Sequence, residues 1–156
     1  MEKTEYHIKT WYGSTGRIEL HGRFWHLAGL GNVEIPHPPV VNLLIRQGLP
    51  RDAQRELSFR HEFGHLQTLP LAIMATVLLL KRAKQTGRLK WSQGVWLWAE
   101  HHALWEMMAE SYVMWRLSGR YKRLYGGRLH AGLVLFWLGT AVLVARGFFR
   151  RTLKNN

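Results

Sequence analysis

The chain has 156 residues, a formal net charge of +12 and no cysteine. That length suits one domain, 1–156, with its own core. The missing cysteines exclude a disulfide framework and any thiolate ligand and fit a reducing compartment, while the basic excess favours an anionic partner, either phospholipid headgroups or nucleic acid.

The opening "MEKTEYHIKTWYG" is polar and aromatic, with no apolar run of the signal-peptide kind. Residues 1–50 read as a small β-rich part. "YHIKTWY" and the run "RIELHGRFWHL" flank "GSTG", a hairpin connection, and "NVEI" adds a third short strand. "PHPP" at 36–39 breaks the chain before the short apolar helix candidate "VVNLLIRQ". Asp52, the only aspartate, is placed to cap a helix over 51–82, which Pro70 is expected to kink or restart. The basic turn "KRAKQTGRLK" (81–90) separates it from a second helix over 91–117, and an apolar helix over 129–148 ends the chain. The fold class is therefore α+β: an antiparallel β region followed by a helical bundle built on an antiparallel helix hairpin.

The first of those helices carries "RHEFGHLQ". Side chains four apart lie on one helical face, so His61 and His65 can present two imidazoles to one metal ion. Glu62 stands about 100° round from His61, where a carboxylate can take a proton from a metal-held water. Gly64, with no side chain, admits a close neighbour.

A third ligand must come from downstream, where there is no Cys or Asp. That leaves His130 and the cluster "WAEHHALWEMMAESY", with Glu100, His101, His102, Glu106 and Glu110. From His65 to Lys81 is 16 residues, and from Lys90 to Glu106 is again 16. Each arm is about 24 Å long as helix. Folded antiparallel, they bring Glu106 level with His65 and Glu110 level with His61. His102 shares the stripe of Glu106, where it could donate a hydrogen bond to a developing oxyanion. The remaining histidines, His7, His21, His26, His37 and His130, are read as surface, loop or structural residues.

His61-Glu62-x-x-His65 followed by Glu106-x-x-x-Glu110 resembles the gluzincin group of zinc metallopeptidases. The resemblance covers these two helical motifs. It implies a zincin-like bundle, zinc on His61, His65 and Glu106, Glu62 as general base, and Glu110 supporting His61. The group often has Asp at the supporting position. The longer Glu leaves the roles of Glu106 and Glu110 open to exchange.

Segments 69–80 and 131–145 are uncharged and strongly apolar, and 91–117 carries five tryptophans. Residues 111–156 hold nine Lys or Arg and no acid. A protein associated with an inner or cytoplasmic membrane through its anionic surface is the expectation, with a cytoplasmic protein as the alternative. The expected activity is zinc-dependent hydrolysis of a peptide or of a membrane-proximal protein segment, with an edge strand aligning the substrate. Two alternatives stand beside it: a non-enzymatic basic module for anionic lipid or nucleic acid, and a metal-binding but inactive relative. Nucleic acid is disfavoured because the basic blocks sit beside apolar helices.

Overall fold

A computed structural model describes residues 4–35, 48–85, 91–116, 119, 122–123 and 128–153. "PHPP", "VVNLLIRQ" and His37 lie outside them. The described chain is α+β and mostly helical. Four strands, β1 (Glu5–Lys9), β2 (Thr15–His21), β3 (Phe24–Leu30) and β4 (Val33–Glu34), form an antiparallel sheet in the order β1-β2-β3-β4. The long helices α1 (Arg51–Gln85), α2 (Trp91–Arg116) and α3 (Arg128–Leu153) follow.

The run "RIELHGRFWHL" is two strands, not one. His21 pairs with Phe24 across a two-residue turn, and Gly22 sits there at φ +61°. Glycine takes that left-handed conformation without a steric penalty, so the chain reverses inside the run. "NVEI" accordingly contains the fourth strand.

Alternation along β2 and β3 turns Ile18, Trp25 and Leu27 onto α1, where they enclose Leu66, 0% exposed. Tyr6, Trp25 and Phe59 meet with centroids 5.1–5.5 Å apart in tilted and edge-on contacts. A Cβ on Gly16 would overlap the Leu66 side chain, so the bare strand position is what lets Leu66 reach the sheet. Burying such a leucine stabilises by about 1.5–3 kcal/mol. A second core of Ala53, Leu57, Val113 and Leu133 joins all three helices near the sheet. Ala103, Trp137 and Ala141 close α2 on α3 further along, and Leu97 with Leu79 and Leu80 ties the end of α1 to the start of α2.

Asp52 lies within the first turn of α1 rather than ahead of it, where its charge complements the helix dipole. Pro70 does not restart the helix: α1 is continuous over 35 residues with the proline inside. Proline has no N–H for the carbonyl four residues back, which is that of Leu66. Tyr12, from the β1–β2 turn, donates its hydroxyl to this carbonyl at 2.9 Å. Its neighbour Trp11 donates Nε1 to the Gln67 carbonyl at 3.0 Å. Trp105 of α2 donates to the His65 carbonyl at 2.9 Å, and Thr68 to that of Gly64 at 2.8 Å. Side chains replace the bond that proline removes, and the helix runs on.

Beyond Pro70 the surface changes character. Leu71, Ile73, Met74, Val77 and Leu78 of α1 are all about half exposed or more, as are Leu135, Phe136, Val142 and Leu143 of α3. Among the described residues one helix, Arg51–Arg82, contains a stretch long and apolar enough to cross a membrane by length and composition, and Ala131–Gly147 is a shorter apolar helix.

Candidate metal centre

α1 and α2 can approach closely because Gly64 has no side chain. A Cβ there would stand 2.9 Å from the Ala109 carbonyl oxygen and 3.1 Å from its Cα. This backbone contact sets the two motifs face to face. His61, His65 and Glu106 meet in the crossing, 3%, 5% and 4% exposed, and form a buried group that could hold a metal ion. His61 Nε2 lies 3.0 Å from His65 Nε2 and 3.2 Å from Glu106 Oε2, and His65 Nε2 lies 3.4 Å from Glu106 Oε1. Glu110, fully buried, places Oε1 2.8 Å from His61 Nδ1.

Glu110 thus stands on the Nδ1 side of His61, while Nε2 of the same ring is directed into the crossing. The Nε2 atoms of the two imidazoles and the Glu106 carboxylate face one buried point, a group that could hold a metal ion. Ligands held at about 2.0–2.1 Å around a tetrahedral zinc stand about 3.3 Å from one another, close to the separations found. The donor set, two nitrogens and one carboxylate, fits the same ion. Burial pushes the Glu106 carboxyl up, but the neighbouring His65 and His61 outweigh it and hold that group well below the ordinary carboxylate range.

Around this group sit the supports. Trp105 packs its ring edge-on against His65, centroids 4.5 Å apart, while donating to the same residue's carbonyl. Glu62, 6% exposed, accepts the Leu27 N–H of β3 at 3.1 Å through Oε2. One helical turn earlier, Ser58 Oγ accepts the Trp25 N–H at 3.0 Å. Alternate N–H groups of the strand thus meet side chains four apart on the helix. His102 Nε2 stands 3.8 Å from Glu106 Oε1, its ring stacked on Trp98 and edge-on to Trp137.

The structure therefore brings His61, His65, His102, Glu106 and Glu110 to one place, while Glu62, the next residue after His61, is held by the sheet. Glu106 faces both Nε2 atoms, and Glu110 faces Nδ1 of His61. His101 turns away to Thr76, whose hydroxyl is 2.8 Å from Nδ1. Glu100 is buried, 7% exposed. His7 pairs with Glu5 at the surface, and His26 is buried edge-on to His21. His130 begins α3. An open cleft of about 440 Å³ near Arg60, Phe63 and Tyr112 has none of the three metal-group residues in its lining.

Sequence reasoning missed Ser58, the Leu27 N–H and the carbonyl donors Trp11 and Tyr12. Only the i, i+4 spacing of Ser58 and Glu62 was available as a signal. No protein-family model, no curated protein and no solved structure matches the chain.

Proposed function

We propose that the chain is a zinc-dependent metallopeptidase with a zincin-like arrangement. The observation that carries this reading is the convergence of the His61, His65 and Glu106 donor atoms at a buried point, with Glu110 behind His61. Those three residues would hold the zinc, which supplies a Lewis acid for the scissile carbonyl and acidifies a bound water. Glu62 would take the proton of the attacking water and pass it to the leaving amine. The Leu27 N–H donates to one oxygen of Glu62 and so restrains that carboxylate. His102, next to Glu106 and 26% exposed at its side chain, would donate to the oxyanion.

The test is metal analysis and peptide hydrolysis on purified protein. About one zinc per chain is expected, as for an open site with three protein ligands. Glu62→Gln should keep the zinc and lose about 10²–10⁴-fold in hydrolysis. Full activity in that variant would rule out the mechanism. Zinc without hydrolysis in the wild type would make the chain a metal-binding, inactive relative. Neither zinc nor hydrolysis, with retention on anionic vesicles, would leave the basic-module reading.

A further inference from the structure

The half of the bundle beyond Pro70 exposes apolar side chains on all three helices. Leu71, Ile73, Met74, Val77 and Leu78 project from α1, Val95 and Trp98 from α2, and Leu135, Phe136, Leu138, Val142 and Leu143 from α3. A soluble monomer rarely leaves apolar surface contiguous on this scale. Residues 70–80 of α1 and 131–145 of α3 contain no charged side chain at all. On α2 the titratable groups between 94 and 104 turn inward: Glu100 is buried, His101 bonds to Thr76, and His102 leans on Glu106. In a hydrocarbon surround, polar groups face the bundle interior in this way.

The far end of the same half is cationic. Lys81, Arg82, Lys84 and Arg146 are all exposed there. α2 and α3 run antiparallel, with Gly147 passing the Trp96 ring so closely that a Cβ would lie 3.0 Å from it. That contact brings the later part of α3 to Trp96, which packs with Leu79 and Leu80 near the end of α1. It so draws Arg146 toward Lys81, Arg82 and Lys84. An apolar collar that girdles three helices and ends in exposed Lys and Arg is complementary to acyl chains and anionic headgroups together.

We infer that this half of the bundle is embedded in an anionic lipid bilayer. The uncharged stretch of 15 residues in α3 is about 22 Å long as helix, against a hydrocarbon core of about 30 Å. Local thinning and the long arms of the terminal Lys and Arg close that difference. His65 precedes Pro70 by five residues, about 7.5 Å along the axis. The metal centre therefore lies just outside the acyl region, at headgroup level. Resting on the metallopeptidase reading, the substrate class follows: a polypeptide segment held at the bilayer surface by its own anchor.

The full chain, purified in detergent, is to be mixed with phosphatidylcholine vesicles, with and without phosphatidylglycerol, and floated. Flotation that survives high salt and alkaline washing is expected, with more protein bound where phosphatidylglycerol is present. Bromine on the acyl chains should quench tryptophan fluorescence, and Trp98→Phe should reduce that quenching. Ile73→Glu with Val77→Glu should keep helical circular dichroism in detergent yet fail to float, while His65→Ala should float like wild type. Release by salt would mean headgroup binding by the basic turns alone. Detergent-free self-association without flotation would make the collar a contact between copies of the chain. Either result overturns the proposal.

For the substrate, a peptide tethered to a vesicle lipid should be cleaved at least about ten-fold faster than the same peptide free, through its higher effective concentration. Equal rates would overturn the substrate assignment alone. No cleavage of either peptide, with flotation intact, would overturn the peptidase reading and the substrate assignment but leave the bilayer assignment standing.

Discussion

The two halves of α1 invert each other. Before Pro70 the helix buries polar side chains, with Gln54, Ser58, His61, Glu62, His65 and Thr68 all at or below 9% exposure. After Pro70 it exposes apolar ones, Leu71 to Leu78. Neither half follows the usual partition of polar outside and apolar inside, and each departs for its own reason. The first half sets its buried polar groups against polar neighbours: strand N–H groups at Ser58 and Glu62, α2 carboxylates at His61 and His65. In the second half Leu71, Ile73, Met74, Val77 and Leu78 stay about half exposed or more within the described residues. The first half thus holds the group that could bind a metal ion, and the second carries the exposed apolar surface.

The largest expected effect breaks the first half alone. His65→Ala or Glu106→Ala should leave the purified protein without zinc, while substitutions at exposed positions of the second half, such as Leu78→Ala, leave zinc content unchanged. Metal analysis reads both. Next comes Glu110→Ala. Because Glu110 touches His61 Nδ1 and not the Nε2 side, affinity should fall about 10–100-fold without vanishing. A competition titration with a chelator measures it. If Glu110→Ala were metal-free and Glu106→Ala near normal, the two roles would be exchanged.

A smaller effect sharpens the contrast in packing. Gly64→Ala drives a Cβ into the Ala109 backbone, which cannot rotate away as a side chain could, and should destabilise by about 1–3 kcal/mol. Gly139→Ala, on the exposed face of α3 with nothing within 4 Å of the added carbon, should be neutral or stabilise by up to about 1 kcal/mol. Thermal unfolding of the two variants side by side decides it. The smallest effect lies at the joint. Tyr12→Phe removes the donor to the Leu66 carbonyl and should cost about 1 kcal/mol. In a Pro70→Ala background the cost should shrink, because the substitution restores a backbone N–H to that carbonyl. Equal costs in both backgrounds would separate Tyr12 from the proline.

Much of the first half was legible in the sequence because helical spacing is arithmetic. His61, His65, Glu106 and Glu110 follow from i, i+4 and from two arms of equal length. The reversal at Gly22 was legible only in hindsight, since an isolated glycine in a strand-like run signals a bulge as readily as a turn. The continuity of α1 through Pro70 was not legible at all. It depends on Trp11 and Tyr12, whose bonds to α1 span 56 and 54 residues, and local propensity carries no record of donors so distant. The link from Leu27 to Glu62 was hidden for the same reason.

The unbroken passage through Pro70 also constrains what the segment can become. His61 and His65 before the proline and Ala72 and Thr76 after it are buried against α2 or bonded to it. A helix keeps these groups in phase only while the residue count between them holds. Inserting or deleting one residue between Leu66 and Leu71 would turn everything beyond by about 100°, carrying Thr76 away from His101 and an exposed leucine into the α2 contact. Many side chains in this segment can change type, but its length cannot change by a single position.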